Sequence, residues 1–194
     1  MNQGDLRAVI GPNGAGKTTF LDVITGKVLP TKGDVIFKEK SLIGQKEFGI
    51  ARKGVGRKFQ SPRIFENLDE IQRLMSIVNL QSKANIRAGA LSHGQKQWLE
   101  IAMLVGQDPD LLLVDEPVAG LTDEETDLTA DLLKSLAGDH TVLVIDHDME
   151  FIRRLECPVS VVHQGHVLKE GSMSDIQKDP LVIEVYLGKS EEEE

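Results

Sequence analysis

The run Gly11-Pro12-Asn13-Gly14-Ala15-Gly16-Lys17-Thr18 constrains this chain more than any other segment, because it fits G-x-x-x-x-G-K-[ST]. Its glycines let successive backbone N–H groups turn inward toward phosphate oxygens. Lys17 supplies a point charge to the β and γ phosphates of a nucleotide, and the Thr18 hydroxyl can ligate Mg²⁺. Thr19 completes the candidate binding set. The motif requires a strand before it and a helix after it. Residues 6–10 read as the strand and residues 17–25 as the helix, whose N-terminal partial positive charge adds to the cradle. Chance puts this pattern in a chain of this size on the order of 1% of the time.

A second site follows from Leu111-Leu112-Leu113-Val114-Asp115-Glu116, an apolar strand ending in two carboxylates. A carboxylate at a strand's C-terminal edge beside a phosphate loop can hold Mg²⁺, the role that suits Asp115. Glu116 can then polarise the attacking water as general base. Alone, an Asp-Glu pair after a strand is an ordinary loop; it gains meaning from the phosphate loop in the same chain. Kinases, GTPases and many ATPases share these two sites, which leave the reaction open.

Elsewhere, short apolar β-rich runs alternate with helical patterns, which predicts an α/β fold with a mostly parallel sheet. Residues 33–37 and 141–145 read as further strands, and 159–163 with 166–170 as a hairpin about Gln164-Gly165. Asn67-Leu68-Asp69-Glu70 resembles a capping box opening a helix, with Leu68, Ile71, Met75 and Val78 on one face. Ser92-His93-Gly94-Gln95 opens a helix that buries Trp98, Leu99, Ala102 and Val105; Thr122-Asp123-Glu124-Glu125 opens one that carries Leu128, Leu132 and Leu136. A last helix begins near Pro180.

With 194 residues, 40% hydrophobic and 27% charged, the composition is that of one globular domain. A net charge of −9 argues against a surface that coats nucleic acid. The single Cys157 excludes an intrachain disulfide and reads as a buried structural thiol. No apolar run reaches the ~20 residues that span a bilayer, and no secretory signal is visible. The expectation is a cytoplasmic protein that meets membrane only through a partner.

Leu91-Ser92-His93-Gly94-Gln95, on the N-terminal side of the acidic strand, resembles the signature motif of ABC ATPases. Its chemistry is a helix N-terminus presenting the Ser92 hydroxyl and the Gly94 N–H, with Gln95 beside them. The resemblance implies that this tip closes over the γ-phosphate held by a second ABC ATPase subunit, identical or different, so that two ATP molecules lie between two chains. It implies that Gln60, in Arg57-Lys58-Phe59-Gln60, reaches Mg²⁺ and the attacking water, and that His147 touches the γ-phosphate. Ala119-Gly120-Leu121-Thr122 falls where the family has its D-loop, with Thr122 where many relatives carry Asp.

The resemblance spans residues 4–188 and implies a P-loop nucleoside triphosphatase fold that works with ATP and Mg²⁺ on transmembrane permease subunits, without inserting into the membrane itself. The chain looks most like the branched-chain amino-acid and urea uptake group. Leu91-Ser92-His93-Gly94-Gln95-Lys96-Gln97-Trp98-Leu99-Glu100, residues 115–125 and residues 183–188 are similar to urea transporter ATPases in particular. The expected layout is a nucleotide-binding core over 1–60 and 106–188, a small, reduced helical subdomain over 61–105 with the signature motif, a C-terminal hairpin and helix within the core, and an acidic tail over 189–194. The family's N-terminal β segment, with an aromatic that stacks on adenine, has no counterpart before Leu6. Losing such a stack costs about 1–3 kcal/mol, or roughly ten-fold or more in ATP affinity. Two readings follow: an active ATPase that powers an importer, and a non-catalytic or weakly active nucleotide-binding module derived from one.

Overall fold

A computed structural model of the chain describes residues 1–57 and 68–187. In chain order its strands are β1 (Leu6–Ile10), β2 (Ile36–Phe37), β3 (Lys40–Ser41), β4 (Val55–Arg57), β5 (Leu111–Asp115), β6 (Thr141–Ile145), β7 (Val159–His163) and β8 (His166–Gly171). Its helices are α1 (Lys17–Ile24), α2 (Glu47–Ala51), α3 (Leu68–Ile77), α4 (His93–Val105), α5 (Asp123–Leu136), α6 (Met149–Leu155), α7 (Met173–Ile176) and α8 (Pro180–Leu187).

The main sheet has the order β4-β5-β6-β1-β7-β8, and every neighbouring pair is parallel apart from the β7–β8 hairpin. Continuous Leu/Val/Ile runs in β5 and β6 suit central parallel strands, which are covered on both faces. The two-residue alternation of a strand then divides the core. Ala8, Ile10, Leu112, Val114, Val142, Val144, Val159 and Val161 meet α4, α5 and α6 through Ile101, Leu133, Phe151 and Ile152. Val9, Leu113, Leu143 and Ile145 point the other way, onto Leu21 and Ile24 of α1 and Ile50 of α2. Each such side chain contributes roughly 1.5–3 kcal/mol when fully buried. This is the predicted α/β architecture of a P-loop nucleoside triphosphatase.

Register positions the site. Val9 and Asp115 both pair with Ile145, so β1, β5 and β6 end level with one another. The residues just past those ends must therefore gather at one edge of the sheet.

The hairpin turns through Gln164 and Gly165 at φ 50° and 77°, as a two-residue connection of type I′ requires. Other expectations are corrected. Of residues 33–37 only Ile36–Phe37 is a strand, and it folds back on Lys40–Ser41 as a separate two-stranded ribbon, through Lys38 and Glu39 at positive φ. β4 has no counterpart in the sequence reading, because Gly56 interrupts its apolar signal; Gly56 lets Leu104 and Pro109 pack against the backbone. On α3, Leu74 is buried and Ile71 exposed, and Val78 just past its end is buried. On α4, Ile101, Ala102, Leu104 and Val105 are the buried apolar residues, with Trp98 and Leu99 only partly covered. On α5, Leu132, Leu133 and Leu136 face inward and Leu128 faces solvent. On each helix its packing partners select the buried arc; for α3 that partner is α4. The cap proposed at Asn67 and the acidic tail lie outside the described residues. Cys157 is buried as expected, and burial pushes its thiol up to about 11.

Candidate functional site

Where β1 ends, Gly11 passes so close to the Val162 carbonyl oxygen that a Cβ there would collide with it. The loop then turns through Gly14 and Gly16 at φ 78° and 99°, left-handed values that glycine adopts without steric cost. Gly16 is the N-cap of α1, and no side chain caps that end. The first-turn N–H groups of α1 thus keep the open, partly positive face that binds phosphate. Lys17 Nζ lies over the loop, donating to the carbonyls of Gly11 at 2.6 Å and Pro12 at 3.1 Å. Burial lowers the Lys17 pKa, while the nearby charges of Glu116, Asp115 and Asp146 oppose the shift. The loop is also tied to the hairpin: the Gly165 N–H donates to Ala15 O at 2.9 Å.

The level ends of β5 and β6 bring the acidic residues and His147 to this loop. Asp115 is a charge partner of Arg57, whose Nη2 lies 3.3 Å from Asp115 Oδ2 while Nη1 donates to Asp22 Oδ1 of α1 at 2.6 Å. Glu116 has φ 47°, a strained value for a residue with a Cβ, held by its N–H to Ile145 O at 2.8 Å. Its side chain is half exposed, and Oε1 lies 3.6 Å from His147 Nδ1. His147 is fixed on both sides. Buried Asp146 accepts the N–H groups of His147 and Asp148 at 2.7 and 3.0 Å, and Asp148 caps α6. Asp146 Oδ2 has no partner among the described residues, and burial raises this carboxyl's pKa.

The signature tip lies elsewhere. Ser92 Oγ accepts the Gln95 N–H at 3.2 Å and Gln95 Oε1 accepts the Ser92 N–H at 3.1 Å, a complete capping box. Thr122 and Glu125 build a second box at the start of α5. The boxes interlock: Gly94 lies against the Glu125 carboxylate, and His93 Nε2 bonds Ala119 O at 3.1 Å. No hydrogen bond or ion pair joins this tip to the phosphate loop among the described residues.

The fold therefore brings together Gly11, Pro12, Asn13, Gly14, Ala15, Gly16, Lys17, Thr18, Thr19, Asp115, Glu116 and His147, while Ser92, Gly94 and Gln95 make no hydrogen bond to the phosphate loop among the described residues. Gln60 lies outside the described residues. Arg57 and Asp146 had no motif to mark them; Asp146 carried only the hint of a polar residue directly after a buried strand. A groove of about 810 Å³ opens beside Gly16 and Gly165, lined among others by Phe20, Phe37 and His166, none of them nominated from sequence.

The donors suit Mg²⁺ with a nucleotide. The Thr18 hydroxyl and Asp115 carboxylate are hard oxygen ligands, and the described residues hold no cluster of three or more His, Cys, Asp or Glu that would cage a metal alone. Mg²⁺ is commonly held in this way, by one or two carboxylates with phosphate oxygens and water completing the shell.

The family described as "ABC transporter" matches residues 1–119. The chain is 34% identical to the high-affinity branched-chain amino acid transport ATP-binding protein BraF of Pseudomonas aeruginosa, over 94% of this chain and 87% of that one. Against the corresponding LivG protein of Escherichia coli strain K12 it is 32% identical, covering 96% and 88%. A crystal structure of MJ1267 in its ADP conformation, an ATP-binding cassette of an ABC transporter, superposes with a TM-score of 0.86 at 25% identity, covering 96% of this chain and 89% of that one.

Proposed function

The chain belongs to the ABC transporter family of ATP-binding subunits, and from that premise we propose that it powers an importer of branched-chain amino acids or of urea. It binds and hydrolyses ATP, with Mg²⁺ as cofactor. The cargo reading draws on BraF and LivG, which are named for branched-chain amino acids. Urea enters through the similarity of residues 91–100, 115–125 and 183–188 to urea transporter ATPases. Uptake of labelled leucine and labelled urea by cells with and without the gene separates the two cargoes. The non-catalytic alternative is not favoured.

The observation that carries the mechanism is the common level at which β1, β5 and β6 end. In our reading the N–H groups of residues 11–19 and the Lys17 ammonium hold the triphosphate. Thr18, Asp115 and Gln60 would hold Mg²⁺, which neutralises charge on the transferred phosphoryl group. Glu116 takes a proton from the attacking water and His147 steadies the γ-phosphate. We place the base in the groove beside Gly16, Phe20 and His166. Ser92, Gly94 and Gln95 then serve the nucleotide of a second subunit, which accounts for a helix tip set apart from its own phosphate loop.

The layout we assign is a nucleotide-binding core of residues 1–60 and 106–188, with residues 61–105 as a small helical subdomain facing transmembrane permease subunits. No helix among the described residues is long and apolar enough to cross a membrane. We place the protein on the cytoplasmic face of the membrane, attached through those permeases. The test is Glu116→Gln: it should abolish turnover and trap an ATP-bound dimer. Hydrolysis at the parental rate would remove Glu116 from the role of base.

A further inference from the structure

Ala119 is hydrogen-bonded on both sides. Its carbonyl accepts from His93 Nε2 at 3.1 Å, and its N–H donates to the Glu116 carbonyl at 3.4 Å. Because a carbonyl can only accept, Nε2 carries the proton of the first bond. The imidazole also lies over Gly120, whose φ of 72° forms the turn; a Cβ there would stand 3.7 Å from the ring. Two hydrogen bonds thus run from the first residue of α4 to the backbone of Glu116. Glu116 sits in a left-handed conformation that costs on the order of 1–3 kcal/mol and persists only where its surroundings hold it. Its N–H is secured by Ile145, and its carbonyl by the turn that His93 secures.

We propose that His93 is a positioning residue for hydrolysis. It clamps the turn after Glu116 to the Ser92 tip, so that engagement of the tip with a partner's nucleotide fixes where Glu116 stands on its own. The inference rests on the functional reading above for the roles of Glu116 and the tip. His93 itself touches no reacting atom. It is exposed, so its replacement leaves the core intact.

The experiment compares the parent full chain with His93→Ala and His93→Gln by steady-state MgATP hydrolysis, ATP binding and thermal melting. A lost positioning contact lowers kcat with little change in KM. His93→Ala is expected to lower kcat about ten-fold, with ATP affinity and KM within about two-fold of the parent and melting unchanged. His93→Gln should restore most of the loss, since its amide N–H can reach the same carbonyl. Parental kcat in His93→Ala overturns the inference alone. So do a loss confined to KM, a fall in melting temperature that accounts for the lost rate, and a Gln variant as impaired as Ala. A parent chain that neither binds nor hydrolyses ATP overturns the functional reading, and this inference with it.

Discussion

Glu116 Oε1 and His147 Nδ1 stand 3.6 Å apart, at the ends of two strands whose paired residues Asp115 and Ile145 lie immediately before Glu116 and Asp146. Glu116 depends on a hydrogen bond to β6, and His147 on the carboxylate of the residue before it, which is itself buried. A water between a γ-phosphate and this pair would meet a base and a steadying imidazole together. His147→Ala should therefore lower kcat by roughly 10²-fold or more, the usual scale for a group acting directly on the transferred proton or phosphoryl. ATP affinity should change far less, because the phosphate loop is untouched. Single-turnover hydrolysis with an equilibrium binding measurement checks both halves.

Phe20 offers a test of where the base lies. It is 43% exposed, one turn into α1, and lines the groove that opens beside Gly16. If adenine rests there, Phe20→Ala should weaken ATP binding about ten-fold, in line with roughly 1–3 kcal/mol for a base–aromatic contact. Inorganic triphosphate has no base, so its affinity should stay at the parental value. Equal losses for both ligands would show that Phe20 acts on the loop instead.

Gly94→Ala reverses a familiar sign. Within a helix, alanine is normally favoured over glycine by about 1 kcal/mol. Here a Cβ would meet Glu125 Oε1 at 2.5 Å, and Glu125 Oε2 accepts the Thr122 N–H at 3.1 Å. The carboxylate must shift, which puts at risk the bond it accepts from the Thr122 N–H, worth about 0.5–1.5 kcal/mol. The expected outcome is a melting temperature below or equal to the parent's, never the usual gain. Adding Glu125→Ala should make Gly94→Ala stabilising in that background, which differential scanning calorimetry can read.

Asp146 carries the pH prediction. Burial raises its folded-state pKa, so folding favours the protonated form. Its contribution to stability is complete below the unfolded pKa and is lost as pH rises through the folded one. Asp146→Asn cannot ionise and can still accept both N–H groups through its amide oxygen. Its melting advantage over the parent should thus grow as pH is raised from about 4 toward neutrality, since the reference carboxyl titrates near 3.9. An advantage that shrinks over that interval would contradict the burial argument.

Local chemistry makes much of this protein legible in the order of its residues. The glycine spacing of residues 11–18 specifies its own backbone geometry, and the boxes at Ser92 and Thr122 each close within four residues, so they form where the sequence puts them. β1 and β6 begin and end as read, because their apolar runs stop abruptly at polar residues or glycine.

Only the tertiary structure decided the rest. Arg57 joins Asp22 to Asp115 across separations of 35 and 58 residues, and His93 finds Ala119 at a separation of 26. Such pairs depend on strand order and register, which are set by the summed burial of the whole sheet and leave no trace in a short window. Long-range packing likewise leaves Ile71 and Leu128 exposed beside the buried Leu74 and Leu132 of the same helices. Sequence alone determined which groups could handle a phosphate; long-range packing determined which of them face one another.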